Sequence, residues 1–156
     1  LHLSLRRQRQ MCIRDRFLKE RVEPGSLEDV VRQVREQGGI AAVAHPYSLR
    51  RIAFRRLDLV PRYPDLLIEA RNGRTYSLGA NRKAEQLATE LGRGVTAGSD
   101  AHVPAEIGSV WVEVEASDVE SLREGLVNGA SRPAGRPSSP FFMLLSSVLG
   151  RAGAKL

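Results

Sequence analysis

The stretch VTAGSDAHVP, residues 95–104, sets a carboxylate, Asp100, and an imidazole, His102, one residue apart just beyond an apolar run. A second imidazole, His45, closes another apolar run, IAAVAHP, and a third run, LLIEARNG, carries Glu69 and Asn72. Imidazole and carboxylate are donors that suit zinc, manganese and iron. A divalent ion held by such groups polarises a phosphoryl oxygen and lowers the pKa of bound water, which makes hydroxide available near neutral pH. Alone, the D-x-H pair has a plainer reading. Asp in a GSD turn is a common turn former, and a buried histidine before proline is often a satisfied core residue.

The elements that would position these residues can be read from patterning. Pro24-Gly25 is a turn, and Ser26 with Asp29 three residues on has the shape of a capping box. SLEDVVRQVREQ then places Leu27, Val30, Val31 and Val34 on one helical face, and Gly38-Gly39 ends the helix. IAAVAHP, LLIEA and GVTAG are short apolar runs, as expected of buried parallel strands. LGANRKAEQLATELG is a helix with Ala84, Leu87, Ala88 and Leu91 inward. SVWVEVEA alternates as a strand, and Ser117 with Glu120 would cap a last helix, DVESLREGLVNG. Alternation of this kind predicts an α/β fold with a mainly parallel sheet. In such folds functional residues gather at the carboxyl ends of strands. His45, the Glu69 to Asn72 segment, and Asp100 with His102 all stand at predicted strand ends.

GGIAAVAHP, then LLIEARNG, then VTAGSDAH with Ile107-Gly108 shortly after, resemble the later motifs of the PHP (polymerase and histidinol phosphatase) family over residues 26–130. The resemblance implies a metal-dependent phosphoesterase. The implied fold is a partial distorted barrel of about seven β/α units, its N-terminal strands missing, with up to three divalent metals (Zn, Mn or Fe) at the C-terminal face. By that resemblance His45, Asp100 and His102 are metal ligands, and Glu69 and Asn72 line the site without ligating. The family's opening H-x-H motif is absent, and His2-Leu3-Ser4 does not restore it. The expectation is therefore the C-terminal portion of such a domain, with most ligands lacking and activity impaired. Arg50, Arg51, Arg55 and Arg56 follow His45, and Arg50 and Arg51 are candidate forks for a substrate phosphate. The alternative for them is a solvated face. The implied substrate is a phosphorylated small molecule, a nucleotide or a nucleic-acid 5′ end. A 5′-to-3′ exonuclease and a histidinol-phosphatase-like enzyme are both compatible, and a non-catalytic α/β binding module is the rival class.

A chain of 156 residues suffices for one domain with a real core. Its net charge of +6 invites a nucleic-acid reading. However, residues 1–16 carry +4 and residues 131–156 another +4, which leaves residues 17–130 at −2. With only four Phe, three Tyr and one Trp there is no stacking platform either. The stretch RRQRQMCIRDR resembles a translated sequencing adapter, so residues 1–16 are read as a non-native or disordered basic arm. The single cysteine, Cys12, cannot form an internal disulfide, which points to a reducing, cytoplasmic setting. No apolar run is long enough to span a bilayer, so stable membrane association is not expected. Residues 131–139 read as a linker. Pro140 then opens an apolar helix with Phe141, Leu144, Leu145, Val148 and Leu149 on one face, expected to pack on the domain.

Overall fold

The computed structural model describes residues 13–49, 54, 56–76, 79–142 and 144–146. Its centre is a sheet of four strands in spatial order β1-β2-β3-β4: β1 (Ile13–Arg16), β2 (Ile40–Val43), β3 (Leu67–Asn72) and β4 (Val95–Gly98). β2, β3 and β4 are parallel, as the alternating pattern requires, and β1 lies antiparallel against the outer edge of β2. A separate two-stranded ribbon pairs β5 (Val110–Glu113) with β6 (Arg132–Gly135). The α/β class and the parallel sheet agree with the sequence. Among the described residues these two small sheets do not close, so the expected barrel is not seen.

The first helix, α1 (Leu27–Glu36), starts where the sequence places it. Ser26 Oγ accepts the Asp29 N–H, and the Asp29 carboxylate accepts the Ser26 N–H. Glu28 and Asp29 in its first turn and Arg35 in its last complement the helix dipole. Successive strand residues point to opposite faces, so the sheet buries both. Ala41, Val43 and Ile68 meet Val30, Val31 and Val34 of α1 and Ala84 and Ala88 of α2 (Ala80–Glu90). On the other face Ile40, Ala42 and Leu67 meet Leu126 of α3 (Val119–Val127), with Val112 and Phe17 alongside. Gly94 permits this second contact. A Cβ there would lie 1.9 Å from the Leu126 carbonyl oxygen.

Four expectations need correction. Residues 13–16, assigned to an arm, form β1, because the unpaired edge of β2 supplies backbone partners regardless of side-chain period. Residues 132–135, assigned to a linker, form β6. Pro133 is tolerated there because, among the described strands, this one pairs with β5 alone and so has a free edge. The cap of α3 is Asp118, not Ser117. Its carboxylate accepts the Ser121 N–H and Oγ–H, and Ser121 Oγ accepts the Asp118 N–H, which displaces the proposed Ser117–Glu120 box. The C-terminal segment is helical at residues 140–142 and 144–146, but it leaves Phe141 63% and Leu144 64% exposed. Arg74 of the domain bonds the Ser146 hydroxyl and the Phe142 carbonyl of this helix, and Phe142 and Leu145 are half-buried. Arg50, Arg51 and Arg55, together with residues 1–12 (His2 and Cys12 among them), Val148 and Leu149, lie outside the described residues.

Candidate functional site

The carboxyl ends of the three parallel strands lie side by side, and the chemistry-bearing residues meet there. β3 is longer than its apolar run suggested. It continues to Asn72, so Glu69 sits inside the strand rather than at its end. A strand buried on both faces encloses that carboxylate, which is 1% exposed. Such a group must be hydrogen-bonded. Its Oε2 accepts the His45 N–H at 2.6 Å, and its Oε1 accepts Asn72 Nδ2 at 3.2 Å. The same Asn72 amide donates to Asp100 Oδ2 at 3.2 Å. A line of hydrogen bonds therefore crosses the sheet from the backbone of His45, through Glu69 and Asn72, to the carboxylate of Asp100.

Asn72 is the hub of this line. Fully buried, it accepts the Arg74 N–H (2.9 Å) and the Thr75 hydroxyl (3.2 Å) on Oδ1. Asn81, at the start of α2, brackets its backbone by accepting the Asn72 N–H and donating to the Asn72 carbonyl. Next to it, Gly73 lets the β4 end come close. Its N–H donates to the Gly98 carbonyl, and a Cβ at Gly73 would sit 2.6 Å from the Ser99 carbonyl oxygen. That approach sets Asp100 within reach of Asn72.

The backbone is strained at both ends of the line. His45 has φ of +31° and Asp100 has φ of +52°; Phe17 is the other non-glycine residue with positive φ among the described residues. Such conformations cost about 1–3 kcal/mol each and concentrate at functional sites. His45 is buried and Asp100 half-buried, whereas His102 is exposed. The His102 ring nitrogen Nδ1 lies 2.8 Å from the Asp100 carbonyl oxygen. A carbonyl only accepts, so Nδ1 carries the hydrogen. In the neutral ring Nε2 then presents the lone pair, as in a metal-binding imidazole held by an outer hydrogen bond.

His102 and Asp100 thus present an imidazole nitrogen and a carboxylate in chemically suitable form, whereas His45 joins the line through its backbone N–H. Among the described residues, however, no three or more His, Cys, Asp or Glu side chains converge as a complete metal ligand set. Of the nearby arginines, Arg56 is engaged with Asp58, its Nη2 2.8 Å from Oδ2. Sequence reasoning missed Arg74 and Glu106, an ion pair whose side chains are 2% and 0% exposed, and also Asn81 and Thr75. The usable signals were faint: an arginine directly after the Asn72-Gly73 turn, and an acid four residues beyond His102 among Val103, Pro104 and Ile107.

Residues 79–131, which span α2, β4, the GSDAH segment and α3, match the sequence profile of the PHP-associated family. An uncharacterised protein of Methanocaldococcus jannaschii, MJ0417, is 29% identical over 111 residues, 67% of this chain and 46% of that protein. The fold is similar to a crystal structure of a two-domain protein containing a predicted PHP-like metal-dependent phosphoesterase from Bacteroides vulgatus. The TM-score is 0.63 at 18% identity, covering 80% of this chain and 40% of that one. The chain spans less than half the length of either relative. The family profile supports the PHP resemblance at the GSDAH segment, AHP and IEARN lie before the matched residues, and the fold as a whole is similar to that of a PHP-like protein.

Proposed function

We propose that this PHP-like chain carries part of a metal-dependent phosphoesterase centre, in which His45, Asp100 and His102 hold divalent metal and Glu69 and Asn72 orient them. The observation that carries the reading is the buried line from His45 through Glu69 and Asn72 to Asp100, across the carboxyl ends of adjacent parallel strands. An ordinary turn former at Asp100 has no need of a fully buried asparagine as its donor. Bound Zn, Mn or Fe would supply a Lewis acid for a phosphoryl oxygen and an acidified water. The residues of this chain would present donors and hold them still. Both Glu69 oxygens are occupied by N–H donors, which suits a positioning role better than a ligating one. The complete centre would draw further ligands from outside the described residues.

Within this class we place the substrate among phosphate esters with a nucleotide or nucleic-acid 5′ end, cleaved in the manner of a 5′-to-3′ exonuclease. Histidinol phosphate is the alternative. Arg50 and Arg51 are the proposed phosphate forks, and the setting is cytoplasmic. No helix among the described residues is long and apolar enough to cross a membrane.

Metal uptake by the 156-residue chain, measured by calorimetry with Mn2+ and Zn2+ after chelator treatment, tests the site. Weak binding is expected in the wild type, with loss in Asp100→Asn and His102→Ala. Wild-type affinity in both variants refutes the assignment. Chelator-sensitive hydrolysis of 5′-phosphorylated oligonucleotide or of histidinol phosphate by the natural full-length protein then identifies the substrate, and hydrolysis of neither refutes the phosphoesterase reading.

A further inference from the structure

The loop bearing His102 is held by a carboxylate with no exposed surface. Glu106 Oε2 accepts the backbone N–H of His102 at 2.8 Å and of Val103 at 3.2 Å. Its other oxygen, Oε1, lies 3.1 Å from Arg74 Nε, an ion-pair contact rather than an aligned hydrogen bond. Arg74 reaches in two further directions. Its backbone N–H donates to Asn72 Oδ1, so it is braced against the residue that bonds the Asp100 carboxylate. Its Nη2 donates to Ser146 Oγ at 2.6 Å and to the Phe142 carbonyl at 3.4 Å, both in the C-terminal helix. One guanidinium therefore connects the acid that fixes the His102 backbone to a helix some forty residues further along the chain.

A buried ion pair is a poor stabiliser, since an apolar pair of similar volume is often neutral or better. The positions of its hydrogen bonds are more informative than its energy. Both N–H groups accepted by Glu106 belong to the segment that presents the His102 imidazole, and a backbone amide held at a fixed point fixes the Cα–Cβ direction next to it. Outer groups of this kind tune metal affinity by orienting the ligands.

We infer that Arg74 and Glu106 are positioning residues for the proposed metal centre, and that the C-terminal helix, through Ser146 and Phe142, straps this pair in place. The inference rests on the metal reading for the purpose of the loop. The anchoring itself is decided separately, by hydrogen exchange in the metal-free protein.

The test compares wild type, Glu106→Gln and Ser146→Ala. Glutamine keeps the shape but loses the charge that pairs with Arg74 and strengthens both backbone bonds. Exchange at the His102 and Val103 amides is expected to accelerate roughly tenfold or more in Glu106→Gln and about threefold in Ser146→Ala. The Ile68 and Leu91 amides, bonded to the Gly94 and Leu87 carbonyls, should exchange as in wild type. Mn2+ affinity should fall about tenfold in Glu106→Gln. Unchanged exchange at His102 and Val103 in Glu106→Gln overturns the anchoring, and equal acceleration of the Ile68 and Leu91 amides reduces Glu106 to general support of the fold. Unchanged exchange in Ser146→Ala overturns the strap. If wild type takes up no Mn2+, the metal reading fails while the exchange data still decide the anchoring. If wild type binds Mn2+ and Glu106→Gln binds it equally well, the positioning role is overturned.

Discussion

Asn72→Leu is the most demanding test of the hydrogen-bonded line, because leucine approximates the side-chain shape and removes only its polarity. Four partners lose their counterpart: Glu69 Oε1, Asp100 Oδ2, the Arg74 N–H and the Thr75 hydroxyl. Asp100 is half-buried, so water can replace the lost donor there. Glu69, Arg74 and Thr75 are 1%, 5% and 7% exposed, and water cannot readily reach them. A hydrogen bond to a charged group contributes about 1.5–3 kcal/mol and a neutral one about 1 kcal/mol, and leaving a buried partner unsatisfied raises the cost. One charged and two neutral bonds give a loss of about 3–5 kcal/mol. That is a large share of the roughly 5–15 kcal/mol that holds a domain folded. It corresponds to a fall in Tm of roughly 10 °C or more for a chain of this size. Urea denaturation followed by circular dichroism measures it, with an unchanged m-value showing that the midpoint shift is a stability change. A loss below about 1 kcal/mol would mean that the buried partners find other counterparts, and the hub argument would be wrong.

Two further predictions concern the frame around the site. The Arg35 guanidinium bonds both carboxylate oxygens of Asp65 and holds its pKa below the usual carboxylate range, despite partial burial. A depressed folded-state pKa gives stability that is present above the unfolded pKa of about 4 and lost as pH falls through the lower, folded value. The side chains are 47% and 41% exposed, so solvent screening limits the pair to at most about 1 kcal/mol. Asp65→Asn should therefore cost that little at pH 7 and converge with wild type in strong acid; a gap that widens in acid contradicts the sign. Gly94→Ala places a methyl 1.9 Å from the Leu126 carbonyl oxygen and 2.7 Å from Leu67 Cδ2. It should destabilise by about 3 kcal/mol or more in urea, and a change under about 1 kcal/mol would show that β4 and α3 separate easily.

The elements most legible in the sequence were those whose local chemistry and packing agree. Ser26 and Asp29 cap each other within four residues, and the four apolar residues of α1 bury as their spacing requires. The parallel strands were equally plain, because a strand covered on both faces reads as an unbroken apolar run. What stayed hidden depends on partners distant in sequence. β6, with Pro133 and Gly135, looks like a linker until Val112 and Trp111 lie opposite it. Arg74 and Glu106 look like surface charges until the chain folds them against each other. Glu69 reads as lying near a strand end because the run LLIEA reads as the whole strand, whereas donors from His45 and Asn72 let it stay inside the sheet. At α3 the sequence reading takes Ser117 as the cap, and Asp118 takes that place because Ser121 answers both its carboxylate and its N–H.

The backbone at His45 and Asp100 argues most strongly against a purely structural reading of these residues. A turn that needs positive φ is made most cheaply by glycine, which adopts it without a Cβ penalty. The chain does this at Gly79, Gly92, Gly108 and Gly129, where a side chain would meet nothing within 4 Å and only φ favours glycine. At the ends of β2 and β4 it instead keeps an imidazole and a carboxylate in that strained region. Each is then held by a dedicated donor or acceptor on β3, Glu69 for the His45 N–H and Asn72 for the Asp100 carboxylate. Packing does not account for the choice at Asp100, whose half-exposed carboxylate fills no core space. The strain is intelligible if the identity of the side chain matters more than the ease of the turn. Asp100→Gly separates the two explanations. A structural turn former should be replaced with little loss or even a gain in stability, whereas a ligand should lose its Mn2+ binding while the fold is kept. A glycine variant that is both unstable and wild-type in metal uptake would refute the functional account.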